Sequence, residues 1–325
     1  MGDGCMKRIG VLTSGGDAPG MNAAIRSVVR SGLHYGMEVY GIREGYKGLL
    51  EENVEAMTYR SVSEIINRGG TILKTARCLE FATEEGVSKA VEAAKRLGLE
   101  GIVVVGGDGS FRGARDLSRN GLPTIGIPGT IDNDIACTDY TIGFDTALNT
   151  ACEAIDKLKD TCASHNRCSV VEVMGRHAGH IAMHVGIANG AESIIVPEKR
   201  FDLKADIVDR IEKADDKGKS HFIVILAEGI GQASMMAKQI EEITGVETRA
   251  TILGHIQRGG SPTVQDRVMA TRMGVKAVEL LKEGVGNRVI AYKSGQVVDY
   301  DITEALNMTK SVEEDLVHAS QVVTE

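Results

Sequence analysis

Short, continuous runs of apolar residues alternate with longer helical patterns along almost the whole chain. Two clear examples, Arg8–Thr13 and Ile102–Val105, do not alternate between apolar and polar residues as a strand with one wet face does. Such runs are typical of parallel sheets, which helices cover on both faces. The sequence therefore predicts an α/β protein, and its 325 residues are enough for two lobes that meet at a cleft, with a boundary near residue 140.

The same pattern predicts the other main elements, without a low-complexity linker or an internal repeat. The further predicted strands are Met37–Ile42, Thr124–Ile127, Ser169–Met174, Ser193–Val196, Phe222–Leu226, Arg249–Leu253, Arg288–Lys293 and Gln296–Tyr300. The predicted helices are Met21–Ser31, Ala147–Thr161, His180–Ala188, Ala205–Asp215, Met235–Thr244 and Thr263–Glu283, and another helix is expected after Ser110.

Charge and composition argue against several classes of protein. Asp and Glu outnumber Lys and Arg by 45 to 37, whereas a duplex nucleic-acid binder needs a basic surface. No apolar run approaches the roughly 18 residues of a membrane span, and the opening MGDGC does not resemble an export signal. No CxxC pair occurs among the six cysteines, which are Cys5, Cys78, Cys137, Cys152, Cys162 and Cys168. We expect a cytoplasmic protein with no nucleic-acid or membrane partner.

Three glycine-rich or acidic turns follow predicted strands: Ser14–Gly20, Gly106–Ser110 and Pro128–Asp134. In open α/β sheets, ligands bind beyond the carboxyl ends of the strands. Glycines let backbone N–H groups approach a phosphate, and the start of the next helix adds a positive dipole end. The three turns therefore predict a phosphate-bearing ligand.

Two familiar nucleotide motifs are absent. The dinucleotide fingerprint would require glycine at position 112, which is Arg112, and this argues against a hydride-transferring dehydrogenase. The Gly218-Lys219-Ser220 triplet lacks the upstream glycine of a Walker A motif, since Lys213 stands there. Instead, the turns contain acids. Asp108 beside a polyphosphate needs a bridging cation such as Mg²⁺, and Asp132 and Asp134 suit either a second metal or a general base.

Five longer motifs make the pattern specific. They are LTSGGDAPGMNAAIR (Leu12–Arg26), GGDGS (Gly106–Ser110), PGTIDND (Pro128–Asp134), EVMGR (Glu172–Arg176) and GHIQRGG (Gly254–Gly260). With these motifs the chain resembles the bacterial-type ATP-dependent 6-phosphofructokinases, from about Lys7 to the C-terminal region. The resemblance implies a homotetramer that transfers the ATP γ-phosphoryl group to the 1-hydroxyl of fructose 6-phosphate.

The resemblance also implies a fold of two Rossmann-like α/β/α lobes with mainly parallel sheets and the active site in the cleft between them. The larger, ATP-binding lobe would comprise residues 1–142 and 256–306. The smaller lobe, comprising residues 143–255 and 307–325, would bind fructose 6-phosphate.

Roles for catalysis and ATP binding come from the same resemblance. Asp132 would accept the proton of the sugar hydroxyl, and Asp108 would hold Mg²⁺ on the ATP phosphates. Arg77 and Arg176 would stabilise the transferring group, to which Thr130 would donate. The residues implied to bind ATP are Gly16, Tyr46, Arg77, Cys78, Gly107, Asp108, Gly109 and Ser110.

The sugar phosphate would contact a second set of residues. Those implied to bind it are Thr130, Ile131, Asp132, Arg167, Met174, Gly175, Arg176, Glu228, Arg249, His255 and Arg258. In the family, the arginines matching Arg167 and Arg249 come from a neighbouring subunit, so the active site would be shared between chains. Glu228 would accept hydrogen bonds from sugar hydroxyls.

Arg26 and Arg30 lie four residues apart on one predicted helix, where like charges repel weakly. They are either two solvated arginines or part of an anion site, and the family places an allosteric effector there, ADP or phosphoenolpyruvate. The other implied effector residues are Lys159, Gly190, Glu192, Lys217, Lys219 and His221. Lys159 departs from the family, which usually has an arginine there, and a lysine lacks the bidentate fork.

Other functions remain open at this point. Pyrophosphate-dependent relatives typically carry Asp in place of Gly109 and Lys in place of Gly129, so both glycines favour ATP. Another sugar phosphate, such as tagatose 6-phosphate, fits the same arginines. A non-catalytic binding subunit would be expected to have lost Asp132, Asp108 or the arginines. Finally, the spacing of His177, His180 and His184 suits one helix face, where they are either a metal site or ordinary histidines.

Overall fold

The computed structural model describes residues 6–324, so Cys5 and the opening MGDGC lie outside the described residues. The chain divides into two compact units. The first contains the described residues up to Ile131 together with Ile135–Thr146 and Arg258–Lys310. The second contains Asp132–Asp134, Ala147–Gln257 and the described residues from Ser311 onward.

Strands and helices alternate along both units, as expected of the α/β class. The strands are β1 (Arg8–Thr13), β2 (Glu38–Ile42), β3 (Val54–Met57), β4 (Gly101–Gly106), β5 (Thr124–Pro128), β6 (Cys168–Val173), β7 (Ser193–Ile195), β8 (Phe222–Ala227), β9 (Thr248–Ile252), β10 (Arg288–Lys293) and β11 (Gln296–Asp301). The helices are α1 (Met21–His34), α2 (Gly45–Leu50), α3 (Glu84–Arg96), α4 (Asp108–Arg119), α5 (Phe144–His165), α6 (His180–Ala188), α7 (Asp209–Asp216), α8 (Ala233–Thr244), α9 (Val264–Lys282), α10 (Ile302–Asn307) and α11 (Glu314–Thr324).

The first unit is built on a seven-stranded sheet in the order β11-β10-β5-β4-β1-β2-β3. Its five inner strands are parallel, and only the edge strands β3 and β11 pair antiparallel with their neighbours. Every residue of β4 and β5 is buried, which explains their continuous apolar sequence. Phe111 and Leu117 of α4 and Ile302 of α10 pack in the core cluster with strand residues such as Val104.

The second unit is built on a four-stranded, fully parallel sheet in the order β7-β8-β6-β9. Its core cluster joins Val170 of β6 and Val224 of β8 to Ile211 of α7 and Ile240 of α8. A short π-helical segment, Lys204–Val208, precedes α7 where a single helix is predicted. The expected two-lobe α/β architecture with mainly parallel sheets is confirmed, while the assignment of ATP and sugar to one lobe each remains a prediction.

Some elements escape the sequence-based prediction. They are α2, α3, α10, α11 and strand β3. The expectation that His177, His180 and His184 share a helix face is wrong for His177, because α6 begins only at His180 and His177 lies in the preceding turn.

No helix in the described part of the chain is both long enough and apolar enough to span a membrane. Within residues 6–324, five cysteines have free thiols: Cys78, Cys137, Cys152, Cys162 and Cys168.

Candidate active site

The three glycine-rich turns begin at one edge of the seven-stranded sheet. Strand register aligns Thr13 of β1 with Val105 of β4, and Gly106 with Pro128 of β5. Backbone hydrogen bonds continue past the strand ends, from Ser14 N to Val105 O (3.0 Å) and from Gly129 N to Gly106 O (3.0 Å). The structure therefore brings the starts of all three turns together at the carboxyl edge, where α/β sheets bind ligands.

Helix α4 starts within the second turn. Gly107 is its N-cap and Asp108 its first residue, so the Asp108 carboxylate lies at the positive end of the helix dipole. A Cβ atom added to Gly109 would meet nothing within 4 Å, so open space lies above this residue. Among the described residues, no group of three or more His, Cys, Asp or Glu side chains is arranged to hold a metal ion. A cation at Asp108 would therefore take most of its ligands from phosphate and water, as Mg²⁺ does.

Gly129, the other glycine that favours ATP, is constrained by packing. A Cβ atom there would lie 3.0 Å from Val105 Cγ1 and 3.4 Å from Met21 Cε. A longer side chain at this position would require its neighbours to move. The two glycines predicted to favour ATP thus differ in their surroundings. Gly109 faces open space, whereas Gly129 is crowded by the side chains of Val105 and Met21.

Tyr46 supports the second turn from the buried side. Its ring is buried and stacks on Phe81 with ring centroids 4.0 Å apart, and its hydroxyl donates to Ser110 O at 2.5 Å. Burial raises the pKa of Tyr46, so the phenol stays protonated and remains a donor. Gly113 leaves room for both rings, because a Cβ atom there would lie 2.8 Å from each of them. Tyr46 therefore positions Ser110.

The segment that leads to Arg77 and Cys78 is tied to the first turn. Thr75 Oγ1 donates to Gly15 O at 2.6 Å, and Thr13 Oγ1 donates to Lys74 O at 2.9 Å. Arg77 itself is exposed and Cys78 is half-buried. The Arg77 side chain thus extends into solvent from a backbone fixed at the carboxyl edge of the sheet.

Arg258 packs directly on Gly16. A Cβ atom at Gly16 would lie only 1.8 Å from Arg258 Nη1. The Nε atom of Arg258 is buried and has no hydrogen-bond partner in the described part of the chain. The structure therefore joins a residue implied to bind ATP with an arginine implied to bind sugar phosphate.

The third turn presents Thr130 beside the second. Thr130 Cβ lies 3.9 Å from where a Cβ of Gly107 would be, and Thr130 O accepts a hydrogen bond from Thr141 Oγ1 at 2.6 Å. The side chain of Ile131 is buried, with 2% of its surface exposed. Ile131 can therefore face a ligand only through its backbone.

Asp132 and Arg176 form an ion pair in the second unit. Arg176 Nε lies 3.2 Å from Asp132 Oδ2, and the Asp132 side chain is 2% exposed while that of Arg176 is 56% exposed. The Arg176 backbone N–H also donates to Glu228 Oε1 at 2.5 Å. Three residues that the resemblance implies, Asp132 and Arg176 from separate motifs and Glu228 from outside the motifs, thus meet beyond the carboxyl ends of β6 and β8.

The backbone around this ion pair is strained. Arg176 (φ 54°) and Asn133 (φ 50°) lie in the left-handed region, which residues other than glycine rarely adopt. Gly175 has φ 141°, and a Cβ atom there would lie 2.5 Å from Ala178 O. Such strain persists only where the surroundings hold it, and it is common at functional sites.

Gln257 is a supporting residue that sequence reasoning missed. Its side chain is fully buried, and its Oε1 accepts from Met174 N at 3.3 Å while its Nε2 donates to Gly254 O at 3.1 Å. It thereby holds the backbone of Met174, whose side chain is also buried. Its place between His255 and Arg258 in the GHIQRGG motif is the signal that could have identified it.

Arg167 and Arg249 lie elsewhere, at the amino ends of β6 and β9. Both approach Glu247, with distances of 3.0 Å from Arg167 Nε to Oε2 and 2.7 Å from Arg249 Nη2 to Oε1. The nearby Arg167 guanidinium lowers the pKa of Glu247, as does the hydrogen bond from Arg249. Sequence reasoning missed Glu247.

The length of β6 separates these arginines from Arg176. Strand β6 has six residues, so its two ends are five steps of about 3.3 Å apart, which is roughly 17 Å. Within one chain the structure therefore does not bring Arg167 and Arg249 to Asp132. His255, in the 3₁₀ helix Gly254–Arg258, is exposed.

Comparisons with known proteins agree with this geometry. Residues 8–281 match the family model described as phosphofructokinase. The chain belongs to the phosphofructokinase family. It is 57% identical over 318 residues to ATP-dependent 6-phosphofructokinase 1 of Clostridium perfringens, which covers 98% of this chain and 99% of the relative.

Solved structures of the family show the same fold. A phosphofructokinase structure from Saccharomyces cerevisiae superimposes with a TM-score of 0.87 at 35% identity, covering 98% of this chain and 48% of the yeast chain. A pyrophosphate-dependent phosphofructokinase from Marinobacter aquaeolei superimposes with a TM-score of 0.85 at 22% identity, covering 98% and 92% of the two chains. The second likeness bears on the fold alone.

Most of the predicted effector residues line or adjoin a surface cavity in the second unit. The lining residues include Gly190, Glu192, Arg210, Lys213, Lys217 and Lys219. Glu192 is buried, pairs with the ammonium group of Lys219 and accepts from Ile223 N at 2.6 Å. Lys159 Nζ donates to Asn189 O at 2.8 Å, next to Gly190. The surplus of cations suits an anionic ligand.

Two further residues predicted to bind an effector lie on α1 of the first unit. Arg30 is exposed and its guanidinium lies 5.3 Å from the ring centroid of Tyr59, a cation–π distance. Arg26, one turn earlier, is half-buried. His221 is half-buried and immediately precedes β8.

Proposed function

We propose that this chain is an ATP-dependent 6-phosphofructokinase, a glycolytic kinase that converts fructose 6-phosphate and ATP to fructose 1,6-bisphosphate and ADP. The observation that carries the proposal is the 57% identity, over 98% of the chain, to a clostridial protein of that activity. The acids and arginines that the chemistry needs are all present. That complement argues against a non-catalytic binding subunit.

Asp132 is the proposed general base. The 3.2 Å ion pair with Arg176 orients one of its carboxylate oxygens. Asp132 takes the proton of the sugar 1-hydroxyl while the oxygen of that hydroxyl bonds to the γ-phosphorus of ATP. The bond between the γ-phosphorus and the bridging oxygen then breaks, and this oxygen leaves as part of ADP. The buried position of Asp132 supports this role, because it keeps water from competing for the carboxylate.

Arg77, Arg176 and Thr130 are the proposed stabilisers of the transferring group. Negative charge spreads over its three equatorial oxygens, and guanidinium groups can donate two parallel hydrogen bonds to them. The side chain of Arg77 is exposed, and that of Arg176 is 56% exposed although it pairs with Asp132, so both guanidinium groups are accessible to a ligand. Thr130 would donate through its hydroxyl beside Gly107.

Asp108 is the proposed ligand of Mg²⁺. When bound, the cation neutralises charge on the β- and γ-phosphates of ATP. The backbone N–H groups at the start of α4, with Gly107, Gly109 and Ser110, would bind the same phosphates. The open space above Gly109 supports ATP as the donor, because an aspartate there would crowd and repel the α-phosphate.

The sugar phosphate would be held by Met174, Gly175, Arg176 and Glu228 at the carboxyl end of β6, with Arg258 and His255 from the GHIQRGG motif. Arg167 and Arg249 would grip the 6-phosphate of the sugar bound by a neighbouring subunit, which requires a homotetramer with shared sites. The separation of these two arginines from Asp132 within one chain supports that arrangement. ADP or phosphoenolpyruvate are the proposed effectors at the cationic cavity, and the cytoplasm is the proposed location.

A donor comparison tests the proposal. Purified protein is given fructose 6-phosphate, Mg²⁺ and either ATP or pyrophosphate, and fructose 1,6-bisphosphate is measured. Turnover with ATP alone is the expected result. Turnover only with pyrophosphate would reassign the donor, and no product with either would favour a binding subunit. Replacing the sugar with tagatose 6-phosphate tests the choice of acceptor.

A further inference from the structure

The third turn is held in place by the chain segment that returns beside it. Ile142 N donates to Pro128 O at 2.9 Å, and Gly129 and Ile142 form a parallel β-bridge. Thr141 Oγ1 donates to Thr130 O at 2.6 Å. Thr141 and Ile142 therefore fix the backbone from Pro128 to Thr130, the part of the turn that leads to the proposed catalytic residues.

A single buried carboxylate fixes this returning segment on both sides. Asp266, near the start of α9, is fully buried. It accepts hydrogen bonds from Tyr140 OH (2.5 Å) and Gly143 N (2.7 Å), the residues on either side of Thr141 and Ile142. It also accepts from Thr146 N (2.9 Å) and Thr146 Oγ1 (2.5 Å).

The α9 end of this connection is also fixed. Thr263 caps α9, and its Oγ1 accepts from Asp266 N at 3.3 Å. Thr263 N donates to Thr146 Oγ1 at 3.0 Å, so that hydroxyl both accepts and donates. Asp266 therefore joins the segment to the start of a nineteen-residue helix.

The chemistry of Asp266 is specific to a carboxylate. Two ionised oxygens offer about four acceptor positions, which equals the four donors that converge here. Asparagine has one acceptor oxygen, and its NH₂ group would face two of the donors. Burial raises the pKa of Asp266, and its four donors oppose that rise because they stabilise the charged form.

We propose that Asp266 is a positioning residue for phosphoryl transfer: it fixes the segment 140–146, which in turn holds Thr130 in its reactive place. The inference rests on the proposed kinase function. Asp266 is fully buried and is not among the residues proposed to contact either substrate. Its loss should therefore slow the chemical step more than it weakens binding.

The first test is Asp266→Asn in the full-length enzyme. We expect kcat to fall roughly 10- to 100-fold, because small misplacements of reacting groups are costly. The KM values for ATP and fructose 6-phosphate should change less than about threefold. Backbone amide exchange at Ile142, measured by hydrogen–deuterium exchange, should become faster. A near-normal kcat, or an effect confined to KM, would overturn the proposal.

A matched pair at Thr146 covers the case in which Asp266→Asn does not fold. Thr146→Val removes the hydroxyl donor with little change in shape, whereas Thr146→Ser keeps it. We expect Thr146→Val to lower kcat by about three- to tenfold and Thr146→Ser to stay close to the parent. Leu306→Ala, a change at a partly buried residue that packs against the core cluster and is not among the hydrogen-bond partners of Asp266 or Thr146, controls for lost stability and should leave kcat of the folded enzyme unchanged. Equal kcat for the two Thr146 variants would contradict the positioning role.

Failure of the proposed function is distinguishable from failure of this inference. If the parent protein turns over no sugar phosphate with any donor, the kinase proposal fails. Amide exchange at Ile142 then still decides whether Asp266 holds the segment. Unchanged exchange in both Asp266→Asn and Thr146→Val would overturn the inference whatever the activity.

Discussion

The two ends of β6 carry the same type of side chain in opposite settings. At the carboxyl end, Arg176 leaves a strained turn and pairs with the buried Asp132. At the amino end, Arg167 pairs with Glu247, which is 37% exposed and also holds Arg249. A buried carboxylate beside a strained backbone suits a group that takes part in chemistry, whereas two arginines around one partly exposed carboxylate suit reversible binding of an anion.

These ends therefore do not converge on one substrate molecule within one chain. A sugar phosphate is shorter than the roughly 17 Å that separates the ends of a six-residue strand. Either two chains share a site or the arginines at the amino end bind another anion. Substitutions at Asp132, Arg249 and Glu247 distinguish a shared site from a separate anion site.

Asp132→Asn removes the proposed base and keeps the shape of the side chain. We expect kcat to fall by roughly 10²–10⁴-fold, as is typical when a general base is lost, with little change in KM for either substrate. Steady-state kinetics with ATP and fructose 6-phosphate measure both constants. A rate close to that of the parent would assign the base to another residue.

Arg249→Ala should act on binding instead. Losing a charge-assisted hydrogen bond to phosphate is expected to raise the KM for fructose 6-phosphate by roughly 10- to 100-fold and to leave the KM for ATP nearly unchanged. Arg249→Lys keeps the positive charge but loses the two parallel N–H donors of the guanidinium. Its KM for fructose 6-phosphate should lie between those of the parent and of Arg249→Ala. An unchanged KM for the sugar would remove Arg249 from the binding site.

Mixing these two variants tests whether a site is shared. Each variant alone has low activity. A mixed oligomer can combine the intact Asp132 site of an Arg249→Ala chain with the intact Arg249 of an Asp132→Asn chain. Random assembly of equal amounts should restore about a quarter of the parent sites. Activity is measured after the mixture has been dissociated and reassembled. Purely additive activity would mean that each chain completes its own site.

Glu247→Gln should have the smallest effect. A neutral side chain no longer competes with phosphate for Arg167 and Arg249, so we expect the KM for fructose 6-phosphate to fall roughly two- to fivefold. Because Arg167 lowers the pKa of Glu247, its pairing is present above the ordinary pKa of a glutamate and is lost as pH falls through that lowered value. The difference between variant and parent should therefore be constant from pH 8 to pH 6. A rise in KM would show that Glu247 aligns the arginines rather than competing for them.

Much of the fold could be predicted because buried parallel strands leave a direct trace in sequence. Every residue of β4 is buried, and its run of valines is apolar throughout. Strand β3 was missed because it is a four-residue edge strand with one buried residue, so it carries no comparable pattern. Helix α3 did carry a signal, a Thr83 cap followed by two glutamates and a regular apolar face, which could have identified it.

The candidate site divides in the same way. Turns that follow strands were predictable because the carboxyl ends of parallel strands share an edge. Gln257 and Asp266 were not, since each acts through partners about 80 and 120 residues away along the chain. Pairing over such distances follows from the topology of the fold, and one sequence gives no measure of it.

The unequal packing of Gly109 and Gly129 constrains how a chain like this can change its phosphoryl donor. A side chain introduced at Gly109 would extend into open space and leave the core intact, whereas one at Gly129 would press on Val105 and Met21. On the proposed donor assignment, a switch in donor preference can therefore begin at the first position, whereas at the second Val105 and Met21 must first give way by a few tenths of an ångström. The order in which the two substitutions can occur, in evolution or in protein engineering, therefore depends on the methyl groups of Val105 and Met21 that lie against Gly129.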